Sequence, residues 1–245
     1  MEVSVRSKEL SSTKTRIEDY SQINKTDLDL AKRIRGEVHR FQRKLPDLQQ
    51  IDPNTFERIL LAYLNTHRDT EYSSAMVAQC APFIFCLESE CDAYYCFERM
   101  MQVLDEAYPI KTRVAHFMTL FRSVIPDLSS YFEDEEVDLN EWATSWLHYL
   151  LAKEMQFHDL LRLWDTYFAL PNPLEFHPYV CLSILRNTKE NLEDLEQSEI
   201  RTVLLRLPCL NMRRVITEAV TIRHEAWEHQ MADDNLDLSS HSSFL

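Results

Sequence analysis

Leu160-Leu161-Arg162-Leu163-Trp164-Asp165-Thr166 decides the fold of this chain. Ahead of it stand Trp142, then Trp146-Leu147, then Leu151-Ala152-Lys153-Glu154-Met155. Bulky apolar residues recur here three and four positions apart, which places them on one face of a helix, as one helical hairpin requires. Trp142, Trp146, Leu163 and Trp164 are therefore expected in the core. Arg162 and Asp165, three apart, are expected to join a hydrogen-bond network, with Asp165 buried.

Working outward, the 245 residues are 45% hydrophobic, ample for a sizeable core, and include a single glycine. Strand-rich folds use glycine freely in turns and bulges, whereas helices joined by Pro, Asn and Asp loops need little of it. An all-α fold follows. One glycine also removes every Gly-rich phosphate loop, so the chain is not expected to hold a nucleotide itself. A net charge of −14 argues against nucleic acid or an anionic membrane as a general partner. Against that background Lys32, Arg33, Arg35, Arg40, Arg43 and Lys44 form a basic segment. The acidic runs Glu133 to Glu136 and Glu190 to Glu199 read as a solvated loop and solvated helix faces. The six cysteines form no CxxC pair and read as buried reduced thiols, and the histidines show no H-x3-H spacing. No metal and no cofactor is expected. The start Met1-Glu2-Val3 is polar, and no long uncharged apolar run is present. A cytoplasmic protein without an integral membrane segment is expected.

Along the chain, residues 1–26 are polar and read as a flexible N-terminal arm. A helical domain is expected over 27–230, with a flexible tail over 231–245. Thr26 or Asp27 caps a first helix to about Leu45, with Leu28, Ala31, Ile34, Val38 and Phe41 inward. Asp52-Pro53 opens a second helix. Residues 73–87 are apolar nearly all round, as in a central helix. Further helices are expected over 90–107, 110–123, 139–153, 157–168, 176–187, 198–207 and 212–230. No domain boundary is marked between 28 and 230.

The order W-x3-W-L, L-x-K-E-M, L-L-R-L-W-D-T resembles the C-terminal half of the TBC domain, the RabGAP fold that acts on small Rab GTPases. The resemblance implies a single multi-helix domain and a Rab-type GTPase as partner. TBC domains supply an arginine finger from I-x-x-D-x-x-R and a glutamine finger from Y-x-Q-G-M. An arginine supplied in trans is worth roughly 10³–10⁵ in GTP hydrolysis rate. The first pattern is present as Ile34, Glu37 and Arg40, with glutamate in place of the shorter acid. Arg40 is the implied arginine finger. Read by itself, it is one of several cations on a solvated helix. Gly36 inside this helix costs roughly 1 kcal/mol against alanine, and marks either a close backbone neighbour or a weakened first turn.

The second pattern departs from the family. Tyr72-Ser73-Ser74-Ala75-Met76 keeps the tyrosine and methionine, but Ser74 stands where the glutamine belongs and Ala75 where the glycine does. Serine is too short to reach a water beside a γ-phosphate, and Gln79, five residues on, points elsewhere. Glu37, Tyr72 and Arg43 are the implied partner-binding residues beside Arg40 and Ser74. The R-x3-W-x2-L pattern near the family's domain start is absent, so the resemblance covers 28 to 226. Three readings follow. One is a Rab regulator in vesicle trafficking, catalytically weakened or inactive through loss of the glutamine finger. The second is a working GTPase-activating protein using Arg40 alone, and the third is a non-catalytic scaffold subunit bound to a protein complex partner. In the first two the chain stimulates a partner's GTP hydrolysis rather than acting as an enzyme in its own right. It then reaches endomembranes peripherally, through its partners.

Overall fold

Helix follows helix, with no strand among the described residues of a computed structural model that places the backbone of 14–241 and the side chains of 14–228. The chain forms two compact units, Met1–Glu106 and Ala107–Leu245. The sequence carries no mark of that boundary.

In the first unit, residues 14–22 (α1) are followed by α2 (Leu28–Lys44), a short 3-10 turn (Pro46–Leu48), α3 (Pro53–Thr66), α4 (Ala75–Cys86) and α5 (Glu90–Asp105). Each start has a local cause. Asp27 accepts from Leu30 N at 2.9 Å, and Asp52 from Asn54 N at 3.0 Å with Pro53 in the first turn. α4 is the central helix, with every residue from Ala75 to Ile84 buried. The core stripe of α2 differs from the expected one. Ala31, Ile34, Val38 and Gln42 are buried, while Leu28 is 90% exposed. Gln42 lies four residues beyond Val38 and so continues the stripe. Its Nε2 donates to Leu48 O and Ile51 O, both at 2.9 Å, which pins the turn after α2.

The arm expected over residues 1–26 needs correction where it is described. Residues 14–22 are helical, and Tyr20 is buried and donates to Glu90 Oε1 at 2.6 Å. Arg58 grips the same carboxylate, its Nη2 2.6 Å from Glu90 Oε2. Asn65 Nδ2 donates to Asn24 O at 2.7 Å. One buried aromatic and a shared carboxylate fix a segment whose composition is otherwise polar. Residues 1–13 lie outside the described residues.

In the second unit run α6 (Ile110–Val124), α7 (Pro126–Asp134), α8 (Leu139–Tyr149), α9 (Phe157–Phe168), α10 (Pro173–Leu192), α11 (Gln197–Leu205) and α12 (Met212–His241). The predicted α9 agrees residue for residue. Glu133 and Asp134, expected in a loop, close α7 instead. α12 runs past the expected end at 230, and residues 242–245 of the tail lie outside the described residues. α8 stops at Tyr149 instead of about 153, because Leu150 and Leu151 turn left-handed at φ 51° and 63°. Such backbone costs an L-residue about 1–2 kcal/mol. It is held by Leu151 N donating to Trp146 O at 3.2 Å and Trp164 Nε1 donating to Leu150 O at 3.1 Å.

Trp142, Trp146, Leu163 and Trp164 are buried as expected. Trp142 stacks edge-on against Trp146 at 4.9 Å and Phe117 at 5.8 Å between centroids. Asp165 is the exception. It is exposed, because the buried stripe of α9 runs through Leu160, Leu163, Trp164 and Tyr167 and the next position turns outward.

Glu154 is 2% exposed and takes a 2.5 Å hydrogen bond from Ser145, while its Oε2 is buried without a partner among the described residues. Burial pushes its carboxyl above the ordinary value of 4.5, against the opposing pull of the Ser145 hydrogen bond. A raised folded-state value means that the stability this group contributes is full below about 4.5 and is lost as the pH rises. Glu154→Gln should therefore raise stability at pH 7 by about 1–3 kcal/mol, since a neutral amide escapes the desolvation penalty of a buried carboxylate. The gain should shrink toward pH 4.5, measured by chemical denaturation at both pH values.

Candidate functional site

α2 carries three faces, set by its 3.6-residue period. The core face is Ala31, Ile34, Val38 and Gln42. Arg35 turns toward α3, where its Nε and Nη2 hold both oxygens of Glu57 at 2.6 and 3.1 Å. Arg33, Glu37 and Arg40 follow one another four and three residues apart along the third face.

Arg40 is exposed and is fixed by its own helix. Its Nε donates to Glu37 Oε2 at 3.3 Å, and its Nη2 to Glu37 Oε1. That pairing holds the guanidinium firmly charged. The segment before α4 brings Tyr72 to the same face. The Arg33 guanidinium lies 5.4 Å from the Tyr72 ring centroid, within cation–π range. The Tyr72 hydroxyl is buried without a hydrogen-bond partner among the described residues. Burial foremost, then the Glu37 carboxylate, pushes it up to about 12, while Arg33 and Arg40 pull the other way. Glu37, Arg40 and Tyr72 thus form one electrostatic group around an orphaned hydroxyl.

Two residues on, Ser74 stands at the N-terminus of α4, exposed, with φ −59° and ψ −22°. Its hydroxyl caps nothing, since Ala75 N donates to Ser73 Oγ at 3.3 Å. Ala75 and Met76 are buried, so the tail of the pattern serves packing. Gln79 is buried in α4, 2% exposed, and offers no substitute side chain at the surface. Arg43 stands apart from this group. It is exposed, and its Nε donates to His39 O at 3.2 Å along the helix. Gly36 has no close neighbour: a Cβ built there meets nothing within 4 Å. The sequence did not mark Gln42, whose fixing of the turn after α2 holds this helix in place.

Cys80, Cys91 and Cys181 are buried as expected, whereas Cys86, Cys96 and Cys209 are exposed, and in the second unit one buried cysteine meets a histidine. Cys181 Sγ lies 3.6 Å from His177 Nε2, and both residues are buried. His177 Nε2 also lies 2.9 Å from Trp146 O, a carbonyl that only accepts, so the proton sits on Nε2 and Tyr167 OH donates to Nδ1. Burial holds the imidazole neutral, pushed down to about 3, and pushes the thiol well up. A neutral donor imidazole beside a buried thiol is a packing arrangement and not an activated nucleophile.

Residues 2–193 match the RabGAP-TBC family, described as the Rab-GTPase-TBC domain. The match begins well before the residue 28 expected from the motifs, in keeping with the helical α1. Human TBC1 domain family member 22A is 25% identical over 225 residues, covering 78% of this chain and 44% of that protein. The protein "GTPase-activating protein gyp1" of Schizosaccharomyces pombe is 28% identical over 126 residues, covering 49% of this chain and 24% of that one. The chain thus spans less than half the length of these curated relatives. Among solved structures, the Ypt/Rab-GAP domain of Gyp1p superposes with a TM-score of 0.66 at 20% identity, over 85% of this chain and 80% of that one. The Chlamydomonas flagellar RabGAP TBC domain gives 0.66 at 19%, over 86% and 72%. The chain belongs to the Rab-GTPase-TBC domain family.

Proposed function

We propose that this chain binds a Rab-type GTPase through Arg40, Glu37 and Tyr72, with Ser74 at the edge, and promotes GTP hydrolysis only weakly. The carrying observation is the pairing of an exposed, charge-locked Arg40 with a serine at the position two beyond Tyr72. An arginine offered in trans stabilises charge on the transferring phosphoryl group. Water positioning is the other half of the chemistry. Serine ends one bond beyond Cβ where glutamine ends three beyond it, so the chain leaves that task to the GTPase's own glutamine. Arg43, on another part of α2, contributes at the periphery of the bound partner. No described helix is long and apolar enough to cross a membrane. A membrane-attached GTPase then supplies the chain's peripheral attachment to endomembranes in vesicle trafficking.

The test is binding to a panel of Rab GTPases loaded with a non-hydrolysable GTP analogue. At least one member should bind the native chain, and Arg40→Ala should weaken that binding while leaving thermal stability unchanged. No binding by any member to a folded chain would refute a Rab partner and favour the scaffold reading.

A further inference from the structure

Gly36 is the single glycine of the chain and lies inside α2, where glycine is the poorest helix former after proline. The fold gives no reason for it. No glycine among the described residues has positive φ, and a Cβ at this position meets nothing within 4 Å. The helix would be better with alanine there. What the missing side chain makes room for must lie outside the described fold.

Its surroundings say what that is. Lys32 stands one turn before Gly36, Arg40 one turn after, and Arg43 follows at the seventh residue. All three are exposed cations, and Lys32 and Arg43 enter no ion pair among the described residues. The result is a half-buried stretch of helix with open space over its missing Cβ, edged by Lys32, Arg43 and the Glu37-paired Arg40, with the acid Asp29 two turns before it.

We propose that Gly36 is a clearance position that determines specificity. It admits an acidic surface segment of the nucleotide-loaded GTPase against the α2 backbone, with Lys32 and Arg43 flanking it. This rests on the reading of Arg40 as facing a Rab-type GTPase. Any larger side chain at position 36 holds the partner off the helix and out of reach of Arg40, in the way that close helix approach elsewhere depends on small residues.

The proposal separates stability from binding. Gly36→Ala should raise the thermal midpoint by roughly 1–4 °C, the usual return for removing a helical glycine in a chain of this size. Gly36→Leu should fold as well as the native chain, yet weaken binding to the analogue-loaded panel member at least tenfold, with Gly36→Ala intermediate. Circular dichroism melts and biolayer interferometry on the full chain read the two effects. Native-like binding by Gly36→Leu would overturn the clearance role while leaving the GTPase reading intact. A lowered melting midpoint for Gly36→Ala would also overturn it, since the glycine would then serve the fold itself. Failure of the native chain to bind any panel member would overturn the GTPase reading and this inference together.

Discussion

Trp164→Ala should lower the stability of the chain by about 3–5 kcal/mol, the range for emptying a buried aromatic site. Trp164 is 2% exposed, and its ring lies edge-on to Phe168 at 6.0 Å between centroids. Its indole does more than fill space. Nε1 donates to Leu150 O at 3.1 Å, at one of two adjacent leucines in left-handed backbone. Removing the indole leaves a buried carbonyl without that donor and releases a strained turn, so the loss should fall in the upper part of the range. Trp164→Phe should recover much of the volume but not the hydrogen bond, and sit between native and alanine in a denaturant titration. A loss below about 1 kcal/mol for Trp164→Ala would place this tryptophan among surface positions and contradict its burial.

The same turn shows where the sequence was legible and where it was not. α9 could be read to the residue because its apolar stripe keeps the helical period from Phe157 to Tyr167. The end of α8 was missed because left-handed backbone normally announces itself through glycine or asparagine, and here leucines carry it. Asp165 was placed inside for a hydrogen-bond network with Arg162, although the period turns it outward. The docking of α1 turns on Tyr20 reaching Glu90 across 70 residues of sequence, a contact that no local pattern encodes. Gln42 looked like the polar end of a helix and is instead its last core residue, because both of its amide hydrogens find carbonyls.

At the candidate site the Ile34, Glu37 and Arg40 pattern was enough to single out Glu37 and Arg40. It could not show that Glu37 grips Arg40 with both oxygens, nor that the Tyr72 hydroxyl is buried beside them without a partner among the described residues. Arg43 follows Arg40 by three residues and stays near the same side of the helix, but its Nε is turned back onto His39 O and not onto Glu37 or Tyr72. The serine at position 74 was legible as a departure from the family pattern. Its freedom from any capping role was not, and that freedom bears on the larger of the two effects expected here.

Because Ser73 and not Ser74 meets Ala75 N, changing Ser74 removes no cap. Ser74→Gln with Ala75→Gly therefore restores the family pattern: Ser74 is exposed, while Ala75→Gly removes a buried methyl and puts glycine in the first turn, at a cost of roughly 1–2 kcal/mol. On a GTPase that binds the native chain, this double variant should raise the single-turnover rate of GTP hydrolysis roughly 10²-fold, the scale of one well-placed group acting in the transition state. In the function proposed here Arg40 supplies the other half, so adding Arg40→Ala should return the rate to the GTPase's intrinsic value. Single-turnover hydrolysis with the native chain, the double variant and the triple variant tests the central claim most directly. The predicted result is a rise with the double variant that disappears in the triple. Unchanged hydrolysis by a double variant that still binds the GTPase would contradict it.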